Sequence, residues 1–316
     1  MTVANAAPSS KIGLASRLVN AILAIAPIFN IAKQRARKMM IERAESMGVH
    51  WLQIVADLQK QDLDSELAKV QNPNIQYPDY YLKHFHAYEE GNLGWTPATE
   101  VEVAAFAVHS RIWNDDQPPV QGDARLRQSY IDVVKEKIPT APQDILDIGC
   151  SVGMSTFVLH SAYPQAKITG LDLSPHFLVI ANYNTRTKHP ELLHNQQVQW
   201  IHSTAEQTGF PDNSFDFVSC FLLFHELPQE ASRQILREMR RILRPNGYFT
   251  FMDMNPASDI YRKMPPYILT LLKSTEPYLD QYFAFDMESE LVAAGFASPN
   301  ITANSPRHRT IIAKAV

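Results

Sequence analysis

Asp147 and the small residues after it, in the stretch ILDIGCSVGMST at residues 145–156, have the types and spacing of a ligand-binding or catalytic loop. Gly149, Ser151 and Gly153 spell G-x-S-x-G, the pattern of the serine-hydrolase nucleophile elbow. The same stretch also half-matches the G-x-G-x-x-G turn that cradles the pyrophosphate of a dinucleotide. Both patterns need a strand before this loop and a helix after it, so other features of the sequence must decide between them.

The chain has 316 residues, is 45% hydrophobic and carries a formal net charge of −4 at pH 7. This composition is typical of a globular protein large enough for more than one domain. Its slight acidity argues against a nucleic-acid partner. The two cysteines, Cys150 and Cys220, are too few for a disulfide framework and favour a reducing compartment. We therefore expect a cytoplasmic protein, with no apolar run long enough to span a bilayer.

The first 41 residues contain no acidic side chain. Residues 1–15 are predicted to be a disordered or targeting tail, because acid-poor, basic, Ser-containing starts resemble organelle transit peptides. Residues 18–32 could also form the core of a signal peptide. Residues 16–45 otherwise suit amphipathic helices that pack on the body of the protein, or that make peripheral contact with a membrane. The sequence leaves these alternatives open.

The remaining sequence divides at about residue 140. Residues 16–140 are predicted to form a helical region, including a helix in 96–113 that Thr96 or Thr99 caps. Residues 141–316 alternate between strand and helix patterns, which indicates an α/β fold with a mostly parallel sheet. Ligands of such sheets bind beyond the carboxyl ends of the strands. The loop after the first strand should therefore lie at the binding edge.

The two enzyme patterns named above meet specific objections. A hydrolase using Ser151 needs strands before the elbow, and it would have to recruit Asp253 and His308 as partners. For a dinucleotide site, the third glycine falls at Met154. The carboxylate of Asp147 would also repel a pyrophosphate. Neither reaction explains why an acid precedes the turn.

Asp147 suits a ligand that presents a cation. S-adenosylmethionine carries an ammonium and a sulfonium and has no phosphate, and glycines would let the backbone approach it closely. The helix N-terminus after the loop can face its methionyl carboxylate. An acid at the end of the second strand should then bind the ribose hydroxyls. Asp172, 19 residues after Gly153, holds that position.

Five stretches of residues 143–316 resemble, in order, the small-molecule "type 11" domain of class I S-adenosylmethionine-dependent methyltransferases. They are ILDIGCSVG, GLDLSP, STAEQTGFPDNSFDFVSC, ILRPNGYFTFMD and LVAAGF with RTIIAKAV. The resemblance implies a Rossmann-like, seven-stranded, mostly parallel sheet with an antiparallel last strand. It also implies S-adenosylmethionine as cofactor and S-adenosylhomocysteine as product. The sequence departs from the family at Ser151, where glycine is usual, and at Thr204, where an acid is common.

The resemblance also implies which residues contact the cofactor. The methionyl part of the cofactor is expected to lie along Asp147, Gly149, Cys150, Ser151 and Gly153, and the ribose at Asp172. The adenine is expected at Leu173, Ala205 and Glu206, with Phe221 beneath the cofactor. Phe221 could equally be plain core, because apolar strand ends are commonly buried.

His225 is the predicted catalytic base, because it follows the fourth strand and its neutral form is available near pH 7. Glu226 could orient His225 or could only cap the next helix. Methyl transfer itself requires that nucleophile and methyl be held in line and that water be excluded.

Two aromatic segments are predicted to surround the substrate. Their residues are Tyr80, Tyr81, His84, His86, Tyr88 and Trp95 in the first segment, and Tyr261, Tyr267 and Tyr278 in an insertion at 255–283. The first segment could instead attach the helical region to the sheet domain. We expect no metal, and a small, apolar or ring-containing acceptor. A regulatory module that holds S-adenosylmethionine without transferring methyl remains the alternative, and the oligomeric state is open.

Overall fold

The computed structural model describes residues 26–83, 88, 90–193 and 197–316, without the side chains of residues 26–33 and 271. The predicted tail at 1–15, the start of the helical region at 16–25, and His84 and His86 lie outside the described residues. Of the helices described, none combines the length and the apolar run that crossing a bilayer requires.

In the part of the chain that the structure describes, five α-helices precede the sheet. They are α1 Ala26–Ser46, α2 Trp51–Gln59, α3 Leu63–Val70, α4 Trp95–His109 and α5 Gly122–Lys137. Gly48, with φ of 81°, turns the chain between α1 and α2 in the left-handed region that glycine tolerates. The predicted cap of α4 is wrong: the helix begins after Gly94, and Thr99 instead donates its hydroxyl to the Trp95 carbonyl oxygen at 2.8 Å.

The α/β part alternates strands and helices as predicted. Its strands are β1 Asp144–Ile148, β2 Lys167–Asp172, β3 Val198–His202, β4 Phe215–Phe221, β5 Leu243–Met254, β6 Asn300–Ala303 and β7 His308–Lys314. Its helices are α6 Met154–Ala162, α7 Pro175–Lys188, α8 Gln229–Ile242, α9 Asp259–Arg262, α10 Pro266–Thr275, α11 Leu279–Phe283 and α12 Met287–Ala293. The insertion at 255–283 thus contributes α9, α10 and α11.

One seven-stranded sheet, ordered β3-β2-β1-β4-β5-β7-β6, organises this part of the chain. Strands β1 to β5 are parallel, and β7 pairs antiparallel with both β5 and β6. The predicted fold class is confirmed. Because the parallel strands all end at the same edge, the residues after β1, β2, β4 and β5 come together there.

Helices cover both faces of the sheet. Leu146 and Ile148 of β1 point into a core shared with α8, α11 and α12. Ile145 points to the opposite face, where α5 and α6 pack. Asp147 lies on that second face by the period-two alternation of a strand, so α5 and α6 are the helices that can reach it.

The N-terminal helices attach to the sheet domain through α7. Leu63 of α3 and Ala98 of α4 share an apolar cluster with Phe177. Glu100 of α4, which is 1% exposed, accepts a hydrogen bond from Tyr88 and pairs with Arg37 of α1. The helical region therefore packs directly against the element that follows β2.

Candidate active site

The loop between β1 and α6 is tightly wound. Gly149 and Gly153 have φ of 64° and 91°, and Ser151 has φ of 50°. A Cβ at Gly149 would lie 3.1 Å from the Leu223 side chain after β4, and one at Gly153 would lie 2.7 Å from Trp200 of β3. The two glycines are thus required both by backbone conformation and by close packing.

Asp147 is fully buried beneath this loop. Its Oδ2 accepts hydrogen bonds from the hydroxyls of Ser155 and Thr156, each at 2.7 Å, whereas Oδ1 has no partner. Burial raises the pKa of Asp147 to about 6, although the two hydroxyls and Arg127 oppose that shift. A buried carboxylate oxygen without a partner is costly for a fold and marks a position where a cationic ligand would be stabilised.

Asp172, at the end of β2, holds the loop from the other side. Its Oδ2 accepts from the backbone N–H of Ser151 at 2.7 Å, and its Oδ1 accepts from that of Ser174 at 2.8 Å. Burial raises the pKa of Asp172 to about 6 as well, and the negative charge of Asp147 adds to the shift. The two acids are therefore close enough to interact across the loop.

The hydrolase alternative is wrong. The Ser151 hydroxyl is buried and has no hydrogen-bond partner, so no base activates it. The two residues that would have to complete a triad bond elsewhere: Asp253 bonds to His225, and His308 bonds to Ser305.

The side chains of several predicted cofactor residues are buried. Cys150 is 1% exposed, and its sulfur would lie 3.0 Å from a Cβ at Gly170, so the thiol points under the loop. Burial raises the pKa of this thiol well above its ordinary range. Leu173 is buried behind β2. Phe221 packs edge-on to Tyr130 in the core shared with α5.

Ala205 and Glu206 lie on the loop after β3. Ala205 packs against the core that α8 shares, and Glu206 accepts a hydrogen bond from the Tyr80 hydroxyl at 2.5 Å. Tyr80 in turn meets the Tyr278 ring edge-on, with centroids 6.3 Å apart. The first aromatic segment and the insertion therefore meet beside the predicted adenine edge.

Residues 71–83, which we call the strap, cross the carboxyl edge of β2 and β3. His202, the last residue of β3, accepts the backbone N–H of Asn72 at Nδ1, 2.8 Å away. Its Nε2 lies 3.0 Å from the Leu173 carbonyl oxygen and 3.3 Å from the Tyr77 hydroxyl. Burial raises the pKa of Tyr81 well above its ordinary range, and the charge of Asp172 contributes. His202, Asn72 and Tyr77 were not predicted as site residues.

Other predicted substrate residues lie elsewhere. Tyr88 bonds to Glu100, and Trp95 donates to Asp64 at 2.9 Å, so both contacts lie within the helical region. Tyr267 is 48% exposed on α10 and does not line an enclosed site. Tyr261 is buried against Phe283 of the same insertion, with ring centroids 5.3 Å apart.

His225 lies in a short turn after β4 and is 8% exposed. Its Nδ1 is 2.8 Å from Oδ1 of Asp253, at the carboxyl end of β5, and its backbone N–H donates to Oδ2 at 3.2 Å. Sequence reasoning missed Asp253 in this role, although an acid at a strand end is the same signal that identified Asp172. Glu226 ends the turn, and Asp253 rather than Glu226 orients His225 through Nδ1. Pro228 precedes α8 in the capping position, so Glu226 does not cap that helix either.

The charge state of His225 differs from the prediction. Burial would lower the pKa of His225, but the hydrogen bond to Asp253 and the negative charges of Asp253, Glu276 and Glu226 together outweigh burial and raise that pKa to about 10. The imidazole is therefore protonated at neutral pH, and the expected neutral base is wrong for this structure. The Tyr282 ring packs edge-on to it, with centroids 6.4 Å apart.

Arg127 of α5 is a further candidate site residue that the sequence did not reveal. Its guanidinium lies 4.4 Å from the centroid of Phe221 and reaches the Met154 sulfur at 3.6 Å. Asp123 accepts from Arg127 at 2.9 Å and is itself bonded to His109. A buried cation is thus fixed beside the first residue of α6. Within the described residues, no group of His, Cys, Asp and Glu side chains is placed to hold a metal ion.

Comparison with known proteins agrees with this geometry. A sequence family described as "Methyltransferase domain" matches residues 145–247. Those residues hold the glycine loop, both buried acids and His225. Residues 145–247 thus contain a methyltransferase domain.

The sequence similarity to known methyltransferases covers only part of the chain. A demethylmenaquinone methyltransferase of Listeria welshimeri is 33% identical over 111 residues, which are 35% of this chain and 44% of that protein. An uncharacterised methyltransferase of Synechocystis sp. is 29% identical over 56% of this chain and 76% of that protein. The chain thus spans less than half the length of the Listeria relative. A solved S-adenosylmethionine-dependent methyltransferase of Aquifex aeolicus is 20% identical over 61% of this chain and 93% of that chain, with a TM-score of 0.46.

The residues of the methyltransferase domain fit its cofactor, S-adenosylmethionine. Asp147 Oδ1 is a buried acceptor without a partner, which suits an ammonium group. Each Asp172 oxygen has a second lone pair besides the one that receives a backbone N–H, so hydroxyl groups can still bond there.

Proposed function

We propose that the protein transfers the methyl group of S-adenosylmethionine to a small ring-containing acceptor at the carboxyl edge of the sheet. One observation carries the proposal: two buried acids, Asp147 and Asp172, flank a glycine loop, and one oxygen of Asp147 has no partner. Such a site favours a cationic ligand without phosphate. The match of residues 145–247 to a methyltransferase domain supports the same reaction.

The cofactor would supply a methyl group on a positively charged sulfur. In this proposal Asp147 receives the amino group of its methionyl part and Asp172 receives the ribose hydroxyls. Arg127 pairs with its carboxylate, supported by the position of the guanidinium beside Met154. These three contacts would fix the cofactor so that the acceptor approaches in line.

The acceptor is proposed to be a hydroxylated aromatic ring. Tyr80, Tyr81 and Tyr278 form an aromatic group in which neighbouring rings meet edge-on. Aromatic walls of this kind suit a flat apolar ligand with a few polar groups. The relatives named demethylmenaquinone methyltransferase point to a reduced naphthoquinone as the first acceptor to test.

His225 is proposed to hold the acceptor's oxygen. Because Asp253 occupies Nδ1, only Nε2 remains available to a ligand. A protonated imidazole donates from Nε2, which favours the anionic form of a ring hydroxyl and makes the ring more nucleophilic. His225 thus acts as a fixed donor rather than as a neutral base.

The test is transfer of label from methyl-labelled S-adenosylmethionine. Wild type is expected to label a reduced naphthoquinone and not phosphoethanolamine, which has no ring. His225→Gln should lower kcat about 100-fold, the usual contribution of a positioned acid–base group, whereas Tyr267→Phe on the exposed face of α10 should match wild type. If folded protein binds the cofactor but labels no ring acceptor, the regulatory-module alternative replaces this proposal.

Peripheral membrane contact through residues 16–45 remains a prediction within the same proposal. Residues 34–39 of α1 are exposed and include Arg35, Lys38 and the apolar Met39. A basic helix face with apolar residues suits a surface of anionic lipid, where an apolar acceptor would also be found. Co-sedimentation with anionic vesicles, compared with Arg35→Glu and Lys38→Glu together, tests that contact.

A further inference from the structure

Three arginines from separate parts of the chain meet at the C-terminal end of α4. Arg43 comes from α1, Arg111 follows α4, and Arg307 precedes β7. Arg43 donates from Nη1 to the Ala107 carbonyl oxygen at 3.1 Å, and Arg307 donates from Nη2 to the Val108 carbonyl oxygen at 3.3 Å. Because these carbonyls belong to consecutive residues, the two guanidinium groups are neighbours. We call Arg43, Arg111 and Arg307 the arginine cluster.

The positive charges of the arginine cluster repel one another. Burial lowers the pKa of Arg43, and Arg111 and Arg307 lower it further. Burial also lowers the pKa of Arg307, with only Tyr261 opposing. In the described part of the chain no carboxylate contributes to either shift, whereas Arg125 and Arg241 each pair with carboxylates.

The end of α4 accounts for part of this arrangement. Carbonyl oxygens at a helix C-terminus carry partial negative charge and commonly accept from arginine. A guanidinium has five N–H donors, however, and each of these carbonyls receives one of them. The Arg43 Nε is buried and has no partner among the described residues. An unpaired buried donor on a charged group is unfavourable unless a further acceptor binds there.

We propose that the arginine cluster binds an oxyanion of the phosphate type, either inorganic phosphate or the phosphate group of a small metabolite. Guanidinium groups donate paired N–H bonds that match the oxygens of a phosphate, and three of them would more than offset the charge of about −1.5 to −2 that a phosphate carries near pH 7. The Arg307 carbonyl oxygen accepts from Asn255, directly after β5, at 2.8 Å. The backbone of Arg307 thus lies beside the end of β5, whereas its guanidinium reaches the end of α4. The inference does not depend on the proposed methyl transfer.

The experiment is calorimetric titration of the full chain with inorganic phosphate and, separately, with glycerol 1-phosphate, at constant ionic strength set by chloride. Wild type should give saturable binding, and Arg111→Gln and Arg43→Gln should each weaken it about tenfold or more, as expected when one charge-assisted partner is lost. Arg125→Gln, which removes an arginine already paired with Asp115, should leave binding unchanged. Tighter binding of the ester would identify a phosphorylated metabolite, and equal binding would identify inorganic phosphate.

Arg111 is exposed, so Arg111→Gln keeps the test decisive even if Arg43→Gln does not fold. Circular dichroism establishes folding before each titration. The proposal is overturned if neither anion binds saturably to wild type, or if folded Arg111→Gln binds as wild type does.

Discussion

Burial moves the pKa values of Asp147 and Asp172, the two acids proposed to bind the cofactor, to about 6. The ordinary pKa of such a carboxyl is near 3.8. Without cofactor, these groups favour the folded state most at acid pH, and that contribution is lost as pH rises through about 6. A cationic ligand recovers it by stabilising the ionised form, so cofactor affinity and proton binding are linked.

Affinity for S-adenosylhomocysteine should therefore fall as pH decreases from 7 to 5, because a proton must leave the acid pair before the ligand's ammonium binds. The fall should be about tenfold per pH unit for each proton displaced below the folded pKa. Calorimetry at pH 5, 6 and 7 measures it. Asp147→Asn should reduce the slope because only Asp172 then titrates, whereas substitution of the exposed Asp259 (Asp259→Asn) should not change it. A flat wild-type profile would contradict the linkage.

The His225–Asp253 pair should stabilise the fold in the opposite pH range from an ordinary acid. The pKa of His225 rises from an ordinary 6.5 to about 10 in the folded protein. Its stabilisation is fully present below about 6.5 and is lost as pH rises through 10. Urea unfolding of wild type and His225→Gln at pH 6.5, 8 and 9.5 should show the difference in free energy of unfolding shrinking with pH. A difference independent of pH would count against the pair, and exposed His50→Gln is the control.

Ser151 has a left-handed backbone conformation, with φ of 50°, which is unfavourable for a residue with a Cβ. Ser151→Gly should raise the free energy of unfolding by about 0.5–1 kcal/mol, because the left-handed conformation costs a residue with a Cβ roughly 1 kcal/mol. Ser151→Ala keeps the Cβ and removes only the unpartnered hydroxyl, so it separates the two effects. Equal stability of the glycine and alanine variants in urea would show that backbone strain is not the cause.

At the scale of elements, the strap joins the helical region to the sheet edge through His202. Asn72 donates to Nδ1, which requires that nitrogen to be unprotonated. Burial lowers the pKa of His202, with the charge of His176 adding to the shift. The contact is therefore present at neutral pH and is lost as pH falls below the ordinary imidazole range.

Protonation of His202 should release the strap. Hydrogen exchange in residues 71–83, corrected for intrinsic rates, should be slow at pH 7.5 and faster near pH 5. His202→Phe, which cannot accept from Asn72, should exchange rapidly at both pH values, whereas exposed His50→Gln should behave as wild type. Equal protection in His202→Phe and wild type at pH 7.5 would mean that His202 does not hold the strap.

The sequence predicted the strands and the loop after β1 because alternating patterns and short motifs are local signals. It did not predict the short edge strand β6 from its residues, since Asn300–Ala303 has only four residues and is mostly exposed. It also could not separate Tyr80, which reaches Glu206, from Tyr88, which bonds to Glu100. Neighbouring tyrosines carry the same local pattern, and only the path of the chain assigns their partners.

At the scale of the molecule, contacts between distant segments bring together candidate site residues that the sequence did not identify. Asp253 and His225 are 28 positions apart, and Arg127 lies 27 positions before the Met154 that it reaches. The position of Asp253 at the carboxyl end of a parallel strand could have identified it, because acids at the ends of such strands meet at one edge of the sheet. Nothing local identifies Arg127, whose role depends on how α5 packs across the face that holds Asp147.

The central claim is that this edge of the sheet binds S-adenosylmethionine through its two buried acids. The most direct measurement is calorimetric titration of wild type and Asp172→Asn with S-adenosylhomocysteine at pH 7.5, with Asp259→Asn as the control. We expect wild type and the control to bind with a Kd on the order of micromolar, and Asp172→Asn to bind about 10- to 100-fold more weakly, the loss expected for one or two buried hydrogen bonds to a charged group. Absence of binding to folded wild type, or equal binding by Asp172→Asn, would contradict the account.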